Sequence, residues 1–330
     1  MRKLHNTSHV LNRRRLLASV VATASLAVAG MAQAQTAWQP SGTVRLVVPY
    51  AAGGAADLVA RVLASALGDH WHQTVIVENL PGATGTIGTT HVYKAEPDGM
   101  TLLLAVPDVV SIYPNLAETR YDPKKFIPVA NIGVSAFVLL ARPTLSANNI
   151  QEFISLAREQ PLNFGNAGMG GSVHLMNLAL GMAADIPEMT HVSFGGMAPA
   201  IQAVMGDHVD TYFSSVGGTP QYQSHMKFLG ISSAQRSPLL PDVPTFTEQG
   251  VPLVQDLWFG VLAPPETPAS ITAELSKTIN EITSTTTYQA KVGELALTVP
   301  TMTQEEFAQY YEDDNRKWGD VIRAGNVKLE

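Results

Sequence analysis

The stretch Val47-Val48-Pro49-Tyr50-Ala51-Ala52-Gly53-Gly54-Ala55-Ala56-Asp57 is the first in the chain whose residue types could do chemistry. A β-branched run ends at a proline, and two glycines free the backbone before a helix opens near Ala56-Asp57. Helix starts carry unpaired N–H groups and a partial positive charge, so this turn can hold an anion. Small residues from Ala51 to Ala56 let a ligand reach the backbone itself. A plain strand–helix turn capped by Asp57 would use the same residues. The Walker lysine and the G-x-G-x-x-G spacing are both missing, which argues against a nucleotide phosphate.

Asn166-Ala167-Gly168-Met169-Gly170-Gly171-Ser172-Val173-His174 is a second glycine loop opening a helix, with Ser172 placed to cap it. Ser193-Phe194-Gly195-Gly196-Met197-Ala198-Pro199-Ala200 is a third. Two such loops face to face would clamp a small anion. A serine nucleophile at Ser172 has little support: G-x-S-x-G is absent, and His174 lies two residues away, off the same helix face. Gly82, Gly85 and Gly88 miss the dinucleotide spacing and read as a turn. His70 and His72 would share one face of a strand, but no third ligand follows at metal-site spacing. Asp313-Asp314 reads as a solvated helix face. Thr303 with Glu306 fits a capping box.

These loops need a rigid frame. Strands are expected at 44–48, 74–77 and 101–106, alternating with helices that start near Ala56 and Thr89. The alternation returns from 137 to 232, and helices dominate after Ile271. Strand–helix alternation implies an α/β fold of two units, each a mainly parallel sheet flanked by helices. The proline-rich stretch 238–252 crosses between the units. The helices after Ile271 most simply pack back on the first unit.

Composition sets the outer bounds. Arg2, Lys3 and Arg13–Arg15, an apolar run from Leu16 to Met31, and Ala32-Gln33-Ala34 have the order of a secretory signal peptide. The apolar run is short for a membrane span of about 20 residues. Asn12–Leu17 fits a twin-arginine signal and an ordinary basic n-region equally. Removal near Ala34 leaves 16 basic against 28 acidic residues, a net of −12. That argues against nucleic acid and anionic membranes as partners. The chain has no cysteine, which excludes disulfides and thiolate chemistry.

Together the motifs resemble the periplasmic solute receptors of the tripartite tricarboxylate transporter family, the Bug receptors. The likeness covers nearly all of 40–330. It rests on RLVVPYAAGGAADLVARVLA (45–64), VIVENLPGATGTIG (75–88), EPDGMTLLL (96–104), YDPKKFIPV (121–129), SPLLPDVPTFTEQG (237–250) and WFGVLAP (258–264). The resemblance implies a two-lobed type II periplasmic binding protein, a Venus flytrap. Lobe 1 would span 35–132 plus 256–330, and lobe 2 would span 133–255. It implies a monomer with no catalysis and no cofactor, which gives a carboxylate to membrane permease subunits. A receptor feeding a membrane sensor kinase is the alternative, and an exported hydrolase a remote one.

The ligand turn maps onto Tyr50, Ala51, Ala52, Gly53 and Gly54, with Asp57 fixing the helix start. The facing loop maps onto Asn166, Gly168, Met169, Gly170, Gly171, Ser172 and His174. Phe194, Gly195, Gly196, Met197 and Ser214 complete the expected cleft. Three departures bear on the ligand. His191-Val192-Ser193-Phe194-Gly195-Gly196 lacks the family's lysine and tyrosine. Ser214 stands where many members carry an acid. Ala105-Val106-Pro107-Asp108-Val109 replaces a small polar turn. The expected ligand is a mono- or dicarboxylate with an apolar or aromatic body.

Overall fold

The computed structural model describes residues 38–166, 168–187, 189–194 and 197–328. The expected signal peptide, Gly195 and Gly196 lie outside the described residues. Residues 39–330 form one compact unit.

Strand β1 (Val44–Val48) alternates as expected of a strand with one solvated position. Val44, Leu46, Val47 and Val48 are buried, while Arg45 is exposed and pairs with Glu78 at 3.1 Å. Helix α1 (Ala55–Trp71) turns Val59, Ala60, Leu63 and Leu67 onto the sheet, and His72 ends it in the left-handed conformation. His70 therefore sits in a helix, and the shared strand face expected for His70 and His72 does not exist. Strand β2 (Val75–Asn79), helix α2 (Thr86–Tyr93) and strand β3 (Thr101–Ala105) complete the first wing. β1 lies parallel to both β2 and β3.

Strand β4 (Ile127–Ala141) is 15 residues long, and only its last five read as a strand in the sequence. Pro128, Asn131, Gly133 and Ser135 hide its first ten residues. Two register shifts absorb the irregularity, between Pro128 and Ala130 and between Asn131 and Gly133. The early part of β4 pairs with β9 (Asp256–Ala263), and Phe137–Ala141 pair with β7 (Thr211–Ser215). The lobe boundary expected at 132/133 falls inside this strand.

The second wing repeats the plan of the first. Helix α3 (Ile150–Glu159) is capped by Asn149, whose side chain accepts the Glu152 N–H. Strand β5 (Asn163–Asn166) lies parallel to β6 (Thr190–Ser193) and β7. Helices α4 (Ser172–Ala184) and α5 (Met197–Met205) connect them, and β8 (Lys227–Ile231) pairs with β4. The order across the described strands is β2-β1-β3-β9-β4-β7-β5-β6. Pairing is parallel in the outer strands of each wing and antiparallel around β4 and β9.

Alternate residues of β4 feed opposite faces. Phe137 and Leu139 join a core with Phe153, Phe164, Leu175 and Phe213, while Val138 and Leu140 join another with Ile201, Val204 and Tyr212. Each buried Leu or Phe contributes about 1.5–3 kcal/mol. Helices thus cover both faces of the sheet, as the alternation required.

Helices α6 (Ala269–Thr283), α7 (Thr286–Glu294) and α8 (Gln304–Ala324) close the chain. The capping box on α8 is present: Glu306 N–H donates to Thr303 Oγ1 at 3.1 Å, and Thr303 N–H to Glu306 Oε2 at 2.8 Å. The last turns of α8 do more than pack back on the first wing. Trp318 and Ile322 belong to the second-wing core. Asp314 corrects the expected solvated face: it is buried and accepts Gln255 Nε2 at 2.7 Å.

Candidate functional site at the helix starts

The β1–α1 turn is built around one carboxylate. Asp57 Oδ2 accepts the Gly53 N–H at 2.9 Å and Arg61 Nε at 3.0 Å. Asn79 Nδ2 donates to Asp57 Oδ1 and to the Tyr50 carbonyl, both at 3.1 Å. Gly53 adopts φ +89°, and nothing lies within 4 Å of where its Cβ would be, so the open backbone conformation, not crowding, calls for glycine there. The N-cap is Gly54, so Asp57 reaches back from the first helical turn and does not itself cap. Arg61 foremost, with Gly53 and Asn79, holds the Asp57 carboxyl below its ordinary range, against the opposing effect of burial. Ala51, Ala52, Gly53 and Gly54 are exposed. The turn thus presents backbone to solvent on a fixed frame, without a cationic side chain among residues 50–56.

The glycine loop at 82–88 serves this turn from behind. A Cβ on Gly85 would lie 2.5 Å from Val109 Cγ1, and one on Gly88 would lie 2.7 Å from the Leu80 carbonyl oxygen and 3.0 Å from Pro49 Cα. These glycines are spacers that let the loop pack on the end of β1, which is the turn reading of that motif.

The second-wing loop has its own frame. Asn166 is fully buried; its Oδ1 accepts the Gly168 N–H at 2.8 Å and the Ser193 hydroxyl at 3.0 Å. His174 Nδ1 accepts the Gly170 N–H at 3.1 Å, so this imidazole is neutral with its proton on Nε2. Burial, with His191 stacked edge-on at 4.4 Å, lowers the His174 pKa to about 4. The N-cap of α4 is Gly171, and Ser172 is the first helical residue without a side-chain cap, which corrects the capping role expected for it. Asn166 and His174 therefore position the loop and are shielded from solvent. Among the described second-wing residues of the expected set, Met169 and Met197 are the exposed ones. Ser214 is buried and donates to Met197 Sδ at 3.3 Å, and the Phe194 ring packs over Gly165 and the second-wing core.

The unusual turn Ala105–Val109 carries an acid next to buried apolar residues. Asp108 opens a π-turn (Asp108–Ile112) after β3. Burial raises the Asp108 carboxyl above its ordinary range, and burial first, then Asp108, raises the Tyr50 hydroxyl. Among the described residues no three His, Asp or Glu side chains could hold a metal ion.

Two α/β wings joined through a shared strand, each with a glycine-rich turn opening a helix, define a two-lobed solute-binding protein. The tripartite tricarboxylate transporter family receptor model matches residues 59–327, and the chain belongs to that family. Family members are periplasmic binding proteins and not enzymes. The chain resembles a TctC solute-binding protein from Polaromonas, with 28% identity, TM-score 0.79, and coverage of 86% of this chain and 99% of that one. It resembles a Rhodopseudomonas palustris protein with adipate at 26% identity and TM-score 0.72, covering 88% and 99%. MatC from the same organism, with bound malate, shares 30% identity at TM-score 0.69, covering 86% and 99%.

Proposed function

We propose that this receptor captures a small carboxylate between the β1–α1 turn and the α4 start and delivers it to the permease subunits of a tripartite transporter. The single observation that carries the reading is the Tyr50–Gly54 turn: exposed backbone at a helix start, held by Asp57 and without a cationic side chain of its own. Such a turn is complementary to an acid group. The relatives with adipate and malate support the ligand class. The clamping lobes are 35–132 plus 256–330 and 133–255. Closure follows from the ligand's greater affinity for the closed form. On this reading the chain is exported on its signal-like leader and works in the periplasm as a monomer. Among the described residues no helix is long and apolar enough to cross a membrane.

A thermal-shift screen across mono- and dicarboxylates tests this. Ligand at 100 times its dissociation constant adds about 2.7 kcal/mol. The expected result is at least one stabilising acid, with the effect lost in a variant carrying Gly53→Pro. A broad acid panel that leaves the melting curve unmoved overturns the reading.

A further inference from the structure

Helix α8 is fastened to both wings. Three of its side chains donate to first-wing carbonyls: Gln304 Nε2 to Pro128 at 2.9 Å, Tyr311 Oη to Pro123 at 2.7 Å and Asn315 Nδ2 to Val110 at 2.7 Å. A Cβ on Gly260 of β9 would lie 2.5 Å from Phe307 Cζ, and Trp258 meets the Phe307 and Tyr311 rings edge-on. The last turns hold the second wing. Trp318 and Ile322 lie in one core with Phe153, Leu175 and Met176, and a Cβ on Gly325 would lie 2.8 Å from Leu178 Cδ1. Leu175, Met176 and Leu178 belong to α4, which starts at the second-wing loop of the candidate site.

Between these two seats, Asp314 Oδ1 accepts Gln255 Nε2 at 2.7 Å. Gln255 stands where the chain crosses between the wings. Its N–H donates to the Ser232 carbonyl at 2.9 Å; Ser232 N–H in turn donates to the Phe137 carbonyl of β4 at 2.8 Å, and Ser232 Oγ accepts the Phe137 N–H at 2.9 Å. The seats differ in kind. The first is tied by directional hydrogen bonds. The second is apolar, with Trp318 Nε1 buried and without a hydrogen-bond partner, and packed apolar helices can slide by small steps. From Phe307 to Trp318 the helix rises about 16 Å as one rod. A change of angle between the wings therefore turns α8 about the crossing and shifts its far end on α4.

We propose that α8 is a lever between the wings: Asp314 pins it at the crossing, and Trp318 and Ile322 are positioning residues that set the resting angle of the wings and, through α4, the place of the second-wing loop. The proposal goes beyond the receptor reading and does not depend on which ligand is bound. β1 runs with β4 while β5 runs against it, so the strand ends that lead to α1 and α4 point toward one another across the crossing. The far end of α8 thus governs how far apart those helix starts stand.

The chain has no cysteine, so the angle can be read with a single pair of labels. Leu58→Cys in the first turn of α1 and Met169→Cys before α4, both exposed positions, carry nitroxides, and pulsed electron-spin resonance measures the distance distribution between them in the ligand-free protein. In this background Ile322→Ala empties the far seat and Asp314→Ala removes the pin. Each is expected to broaden the distribution or to move its mean outside the width seen in the labelled parent. Ile282→Ala deletes the same group from a buried position on α6; it is expected to lower the melting temperature and leave the distribution unchanged. Where an alanine variant fails to melt cooperatively, Ile322→Val or Gln255→Leu takes its place with the same expectation. An unchanged distribution on loss of either the seat or the pin, or an equal change in Ile282→Ala, overturns the lever. No ligand enters the measurement, so its failure leaves the receptor reading standing.

Discussion

Replacing Asp57 by alanine removes the carboxylate around which the β1–α1 turn is folded. That group accepts Gly53 N–H at 2.9 Å, Arg61 Nε at 3.0 Å and Asn79 Nδ2 at 3.1 Å. A hydrogen bond to a charged group contributes about 1.5–3 kcal/mol. The sum must be discounted. Gly53 is exposed and recovers water, Asn79 keeps its bond to the Tyr50 carbonyl, and the half-exposed Arg61 contributes under about 1 kcal/mol. A net loss of about 3 kcal/mol remains. At about 2–4 °C per kcal/mol for a chain of this order, the melting temperature should fall by about 6–12 °C. Asp57→Asn should lose less, because its amide oxygen can still accept from Gly53. Acid should imitate the mutation. The folded Asp57 pKa is lowered, so its contribution is full above the unfolded carboxylate value of about 4 and fades as pH falls through the folded value. Scanning calorimetry from pH 3 to 7, with carboxylate titrations on the same samples, reads both effects. An alanine variant that melts within about 2 °C of the wild type and binds acids equally well refutes the claim that Asp57 shapes the turn.

Three further outcomes follow from the same reasoning. Burial raises Asp256 to about 6, with Lys317 opposing and Asp314 assisting, so its neutral form stabilises the fold below about pH 4 and that contribution is lost as pH rises through 6. Asp256→Asn should therefore melt higher than the wild type at pH 7, by up to about 2 kcal/mol, and match it near pH 4 in a urea titration. His174→Phe orphans the Gly170 N–H and should cost about 1–2 kcal/mol together with ligand affinity. The wild-type loop should weaken as pH falls from 6.5 toward 4, a dependence that the Phe variant lacks in binding titrations. Gly85→Ala forces a side chain onto a φ of +87° and against Val109, and chemical denaturation should show a loss of about 2–3 kcal/mol.

The frame was readable where one period ran undisturbed. β1 and β3 stand within a residue or two of their expected places because their apolar positions run uninterrupted. The first ten residues of β4 were not readable, since Pro128, Asn131 and Gly133 break the alternation and only the pairing with β9 makes them a strand. Asp313-Asp314 read as a solvated helix face, yet within the single helix α8 Asp314 points inward to Gln255. The helix-start loops were visible through their glycines. Their supporting bonds were not: Asn79 to the Tyr50 carbonyl and Ser193 to Asn166 join residues far apart in the chain. Local spacing carries no trace of such pairs.

β4 runs unbroken from one wing into the other, laddered to β9 along its first part and to β7 along its last. The wings are thus mounted on a common spar, not tied by a slack cord. Any rocking between them must wind that spar, and the two register shifts near Ala130 and Gly133 are where it yields most easily. If the wings close on a ligand, as proposed, such a mounting acts as a torsion spring on their return.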